Sequence, residues 1–232
     1  MKSTTVGRRY PQRVIVVVGS PVGRIVDRRV TLTGLAGETA RAAAAAGADV
    51  QLVGRVGDDP AADGLLLALA AAGIGHVAVL RDPARPTPVE GEVDADGTDD
   101  PGPVDPDPDA SVSHQVPIEL DPGDVDLGLR YLTEFAVLVL VPPASPDVLR
   151  IAIEGARWAN GALILVVDGE MSPDVGLAPD AIVLEAPVDD PDGAFATVVG
   201  RLAAALDAGA DPATAFRDVV TTTGWAAATP EG

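Results

Sequence analysis

A chain of 232 residues in which hydrophobic residues make up 47% but aromatics only 3% must build its core from Ala, Val and Leu, a composition that suits helices packed closely on parallel strands. Sixteen Lys plus Arg against thirty-five Asp plus Glu give a formal charge of −19, a field that repels nucleic acid and anionic membrane and argues against both as partners. There is no cysteine, which removes disulfides and thiol catalysis, and His76 and His114 stand too far apart in sequence to suggest a zinc cage. Met1 to Arg13 is basic without an apolar stretch behind it, and no run approaches the length of a membrane helix. The expectation is one cytoplasmic α/β domain over residues 1–232, with no metal.

Val14 to Val18 is a continuous apolar, β-branched run ended by Gly19-Ser20, as a central strand buried on both faces requires. Gly19 and Gly23 do not make a dinucleotide turn, because G-x-G-x-x-G is absent and Arg24 to Leu32 alternates like a strand instead of opening a helix. Gly37 to Ala46 predicts an alanine-rich helix, closed by Gly47, and Val50 to Val53 a short buried strand. Gly54 to Asp59 reads as a turn, and Asp59-Pro60 supplies an N-cap and an N1 proline for a helix ending at Gly73. Val77 to Leu80 follows as a strand. Such alternation predicts a parallel sheet with right-handed crossovers.

From Arg81 the character changes. Pro83, Pro86 and Pro88 lead into Asp94 to Asp109, which carries seven Asp among Pro and Gly and cannot bury a core. It reads as a solvated, self-repelling loop, or as a hairpin with Val89 to Val93 as one strand and an Asp96-Gly97 turn. A calcium loop built on Asp94, Asp96 and Asp99 is the other reading, although the later bidentate Glu is missing.

Asp121 to Leu132 predicts a short helix, and Ala136 to Val141 an apolar strand closed by Pro142-Pro143. Ser145-Pro146-Asp147 caps a helix to about Ala159, stopped by Asn160-Gly161. The strand Ala162 to Val167 ends at Asp168, a carboxylate placed where open α/β sheets bind ligands. Ala181 to Leu184 is a last short strand, Pro191 to Ala208 a helix, and Asp211-Pro212 caps a final helix to about Thr223.

Gly34 to Asp59 reads Gly-Leu-Ala-Gly-Glu-Thr-Ala-Arg, an alanine run, then Gly-Ala-Asp-Val-Gln-Leu-Val-Gly-Arg-Val-Gly-Asp-Asp. This stretch resembles the ribokinase-like, or PfkB, family of carbohydrate and nucleoside kinases, whose N-terminal hallmark is a Gly-Gly turn, a helix, and that second run. The likeness extends over most of the chain: Val14 to Ser20 looks like the family's first strand, Val77 to Gly97 is similar to its strand and β-lid, and Ala136 to Asp168 resembles its central strand, helix, strand unit. Ala194 to Gly232 resembles the two closing helices and the terminal Thr-Pro-x-Gly. The resemblance implies a three-layer α/β/α sandwich with a mostly parallel central sheet and a small β-lid, the lid and acidic Pro/Asp loop lying at about 81–120.

The chemical positions differ from the family's. Its Asn-x-Asp after the first strand, whose Asp holds substrate hydroxyls, falls on Val22 and Arg24, and its Gly-Gly-x-x-x-Asn substrate turn on Thr33, Gly34 and Glu38. Polar places near the end of the central strand fall on Leu138 and Leu140. In the family, Gly-Ala-Gly-Asp before Ala-Phe supplies an amide anion hole and the catalytic base. Here those places hold Asp190, Pro191, Asp192 and Gly193, so the base position is glycine and Pro191 has no amide to donate. Asp192, one residue away, is the candidate replacement base, and a helix-start carboxylate favoured by the macrodipole is the plainer reading of it. Only about twenty-five residues separate Asp168 from Ala194, where the family places the strands and helices of its nucleotide site, so the nucleotide-binding part reads as truncated.

The expected protein is therefore a degenerate ribokinase-like pseudokinase that binds a small molecule or a protein partner. Arg24, Gly34, Glu38 and Asp168 are its candidate substrate-side residues and Asp192 its catalytic candidate; no nucleotide-binding residue and no cofactor are expected. An ion pair between Arg24 and Glu38 filling the old substrate site is predicted. Two alternatives stand beside this: an active, divergent sugar or nucleoside kinase using ATP and Mg²⁺ with Asp192 and Arg24 in new roles, and a scaffolding homodimer joined through the lid.

Overall fold

Val14–Val18 (β1) is wholly apolar because both its faces are covered: Ile15 and Val17 belong to one core, Val16 and Val18 to the other, and all four are fully buried. The computed structural model describes residues 14–93, 117–168, 180–188, 190 and 192–225. Five further strands join β1: Val50–Gly57 (β4), Ile74–Asp82 (β5), Phe135–Leu140 (β7), Ala162–Val167 (β8) and Ile182–Glu185 (β9). They form a six-stranded sheet in the order β5-β4-β1-β7-β8-β9, every pairing parallel.

Helices cover both faces, giving three layers. Gly34–Ala45 (α1), Pro60–Ala71 (α2) and Ala194–Asp207 (α5) close the core on the Ile15 side, with Pro212–Thr223 (α6) against α5. Pro122–Tyr131 (α3) and Pro146–Ala159 (α4) close the other. The predicted caps form: Asp59, Ser145 and Asp211 accept from the N–H of Ala62, Val148 and Thr214, each followed by a first-turn proline. Small residues let α1 and α5 approach closely, since a Cβ on Gly200 would lie 2.4 Å from the Thr39 carbonyl oxygen.

Four elements differ from expectation. The alternating run from Arg24 to Leu32 is a hairpin, Val22–Val26 (β2) and Arg29–Thr33 (β3), turning on Asp27 and Arg28 at φ 48° and 61°. With positive φ at both positions this is the kind of two-residue turn that favours glycine, and here neither is glycine, so the usual marker is missing. The run Gly54 to Gly57 is not a turn but the end of β4, paired with β5 through Asp82. Val89–Val93 (β6) lies parallel beside β2 in a separate three-stranded sheet, order β3-β2-β6; the proposed Asp96-Gly97 turn and the calcium-loop carboxylates fall outside the described residues. Helix α5 begins at Ala194, three residues later than predicted. The small sheet rests on α2, where a Cβ on Gly23 would lie 3.3 Å from Leu65 Cδ1 and one on Gly64 2.7 Å from Val30 Cγ2.

Candidate functional site

The chain builds outward from β1 to β5 on one side and from β7 to β9 on the other, so strand order reverses between β1 and β7, the point where open α/β sheets place ligands beyond the strand ends. That point is packed with apolar groups. A Cβ on Gly19, just after β1, would lie 2.3 Å from Val141 Cγ2 and 3.0 Å from Ala36 Cβ, and Val141 is 1% exposed. Beside it Ser20 is buried and its Oγ accepts from the Arg55 N–H at 3.1 Å. Arg55 in turn donates from Nε to Asp124 Oδ2 at 2.6 Å and lies 3.4 Å from Asp82, tying the start of α3 to the end of β5. Nothing local in the sequence marks Arg55 for this task.

The N-termini of α1 and α5 stand together above this floor. At α5, Gly193 sits at the cap with φ 63°, a left-handed conformation that glycine adopts without strain, and so turns the chain back on itself. The fold brings the Asp190 carboxylate over the first helical turn: Phe195 N–H donates to Asp190 Oδ1 and Ala196 N–H to Oδ2, both at 3.0 Å. Gly193 N–H also reaches the Asp190 carbonyl at 3.1 Å. The resemblance assigns the anion hole to the amides of positions 190–193; the amides filled here lie just beyond them, in the first turn of α5, where a helix start favours an anion, and the chain's own carboxylate occupies them. The sequence alone placed Asp190 at the first position of that motif; the structure adds that it is a ligand of the helix terminus. Asp192 is exposed on the preceding turn.

Glu38 reaches the same corner from α1, its Oε2 lying 3.4 Å from the position a Cβ would take on Gly193. Its ion pair is with Arg41, one turn along α1, where Arg41 Nε donates to Glu38 Oε2 at 3.0 Å. Arg24 pairs elsewhere: β2 and β6 set it opposite Glu90, and its Nε donates to Glu90 Oε2 at 2.7 Å. The predicted Arg24–Glu38 pair is therefore wrong, because cross-strand register and helical spacing each offer a nearer partner. Gly34 opens α1 at φ 71° against Val22, which is 3% exposed. Leu138 and Leu140 are fully buried in the α3–α4 core. Asp168 follows the last residue of β8, at the carboxyl end of the sheet as expected. The structure thus brings Glu38, Asp190 and Gly193 to one place and leaves Arg24 on the small three-stranded sheet.

No family model matches the sequence, and no curated protein is similar to it. Solved structures are. The chain is similar to a PfkB protein from a Polaromonas species (TM-score 0.63, 16% identity, 91% of this chain and 94% of that one). It is similar also to Arabidopsis thaliana ribokinase complexed with ribose and ATP (TM-score 0.61, 14% identity, 92% of each chain). The adenosine kinase from Sinorhizobium meliloti superposes with a TM-score of 0.60 at 14% identity, over 92% of this chain and 93% of that one. With its all-parallel six-stranded sheet between two helical layers and a small sheet laid on α2, this chain has the ribokinase-like fold of the PfkB-type kinases.

Proposed function

We propose that this chain is a ribokinase-like protein that binds and does not phosphorylate, its ligand being a small molecule or a protein partner. The observation that carries this is the Asp190 carboxylate on the amides of Phe195 and Ala196. Phosphoryl transfer depends on positioning and on stabilising the charge of the transferred group, with donors already aimed at it. Here the first-turn amides of α5 are occupied, Pro191 has no amide to give, Glu38 adds a second carboxylate beside Gly193, and the base position is Gly193. Arg24, which could have met an anionic group, is neutralised by Glu90.

An active, divergent kinase using ATP and Mg²⁺ is the competing function, favoured by the likeness to a ribokinase solved with ribose and ATP. It requires Asp192 to act as the base and Asp190 to leave the α5 terminus. A coupled kinase assay over a panel of sugars and nucleosides, run beside calorimetric titration of ATP and of the same panel, separates the two. No turnover is expected, with or without binding of a panel member. Clear turnover that Asp192→Ala abolishes would overturn the proposal.

A further inference from the structure

Residues 1–13 lie outside the described residues, and they hold Lys2, Arg8, Arg9 and Arg13 without a single carboxylate side chain. The segment enters the fold at Val14, which is paired with Phe135 of β7 and packs on the α3–α4 core. Phe135, with Leu129 and Ile151, floors a groove of about 350 Å³ between α3 and α4, and Trp158, 75% exposed, walls it. Paired strands stand about 4.8 Å apart, so the chain reaches β1 from beside this groove. The lining carries two acids, Asp126 and Glu154, against one cation, Arg130. Glu134, next to Phe135, is exposed and makes no ion pair among the described residues.

Charge and reach select the occupant together. An acid-rimmed groove on a chain of net charge −19 attracts a basic segment and repels a second copy. Outside the described residues, every Lys and Arg falls within 1–13; the segments 94–116, 169–179 and 226–232 have none. Tyr10 stands four residues from Val14, so it reaches no further than about 14 Å from it. With Pro11 it offers an aromatic ring and a stiff apolar group to a trough walled by an indole. The flanking Arg8 and Arg9 carry guanidinium groups, which suit both a carboxylate and an aromatic face. Asp126 and Glu154 already pair along their helices with Arg130 and Arg150, but exposed pairs of this kind are weak and exchange partners readily. A tethered segment also meets its site at an effective concentration on the order of millimolar, so modest contacts suffice. We propose that the α3–α4 groove is the docking site of the chain's own residues 1–13, with Tyr10 in the apolar trough and Arg8 and Arg9 on its acidic rim.

Because the chain has no cysteine, a nitroxide attached through Thr5→Cys labels one position of the whole protein. Its two tryptophans report from opposite faces of the sheet, Trp158 at the groove and Trp225 beside Phe195, with ring centroids 5.7 Å apart. The label should more than halve the indole N–H resonance of Trp158 and spare that of Trp225. Tyr10→Ala combined with Arg8→Glu and Arg9→Glu should return the Trp158 resonance to full intensity, with the Trp225 resonance unmoved as the sign that the fold is kept. A Trp158 resonance untouched by the label, or both indoles broadened alike, overturns the proposal. So does broadening that survives the triple substitution. Broadening that passes undiminished from labelled chains to unlabelled ones in a mixture overturns it too, since the occupant would then be a second copy.

Discussion

Removing the Asp59 carboxylate should destabilise the molecule more than any other single surface change, because three hydrogen bonds from two elements end on it. It accepts from Ala62 N–H at 2.9 Å, from Thr87 N–H at 2.7 Å and from Thr87 Oγ at 2.7 Å. The first is the α2 cap, worth about 1 kcal/mol. The other two fasten the segment before β6, where Thr87 is 6% exposed, and a buried N–H left without an acceptor costs about 1–3 kcal/mol. Asp59→Ala should therefore cost about 2–4 kcal/mol, and Asp59→Asn less, since one acceptor oxygen remains. With a urea dependence of roughly 2 kcal/mol per molar, the unfolding midpoint falls by about 1–2 M. Burial works to raise the Asp59 carboxyl, but the hydrogen bonds from Thr87 and the start of α2 outweigh it and hold the group below its usual range. A depressed carboxyl contributes stability above its unfolded pKa of about 3.9, and that contribution is lost as pH falls through the lower folded value. The gap between wild type and Asp59→Ala should accordingly be full near neutral pH and narrow below about pH 4. A cost under roughly 0.5 kcal/mol at neutral pH, or a gap that does not change in acid, would refute this account of the site.

Gly200→Ala should lower the thermal midpoint, although alanine is the better helix former by about 1 kcal/mol, because the added Cβ meets the Thr39 carbonyl at 2.4 Å and overpacking costs about 1–3 kcal/mol. A double-mutant cycle on Arg24 and Glu90, whose side chains are 41% and 27% exposed, should return less than about 1 kcal/mol; a larger coupling would show the pair shielded from solvent. Asp190→Ala should cost about 1 kcal/mol and make the variant responsive to inorganic phosphate, which should raise its melting temperature and leave that of the wild type unchanged. An equal response in both proteins would show that Asp190 does not occupy the anion position of α5.

What could be read from the sequence was what depends on neighbours in the chain. Asp59-Pro60, Ser145-Pro146 and Asp211-Pro212 start helices because the capping oxygen and the amides it serves lie within three residues. The double burial of β1 was legible because a strand covered on both faces has no polar residue to spare. Gly54 and Gly57 misled, since glycine there does not bend the chain. A Cβ at Gly57 would lie 2.5 Å from Thr87 N, and one at Gly54 2.6 Å from Gly19 O, so the residue type answers a close approach between distant segments. The partner of Arg24 was out of reach for the same reason: Glu90 is set beside it by a parallel pairing 66 residues away in sequence. Asp190 lies outside the usual cap spacing, five and six residues before the amides it holds, and only the left-handed turn at Gly193 brings it back.

The residues that hold this fold and those that would run its chemistry are therefore separable. The Asp59 clasp and the close approach of Gly200 to Thr39 involve none of the positions at which the chain departs from the kinase pattern. At the α5 terminus two opposed effects can be compared in size. A helix N-terminus attracts an anion by about 0.3–1 kcal/mol at an exposed site and up to about 2 kcal/mol when partly buried. A single carboxylate about 4 Å from that anion repels it by about 4 kcal/mol at the effective dielectric of a protein surface. With Asp190 on the amides and Glu38 beside Gly193, repulsion wins. An incoming phosphate is excluded unless Asp190 is displaced, whereas a neutral or cationic group meets no such barrier. The proposed binding role therefore selects ligands by charge, in the sense opposite to a kinase: calorimetric titration should find neutral or cationic compounds binding to the wild type, and nucleoside triphosphates binding only once Asp190 has been replaced.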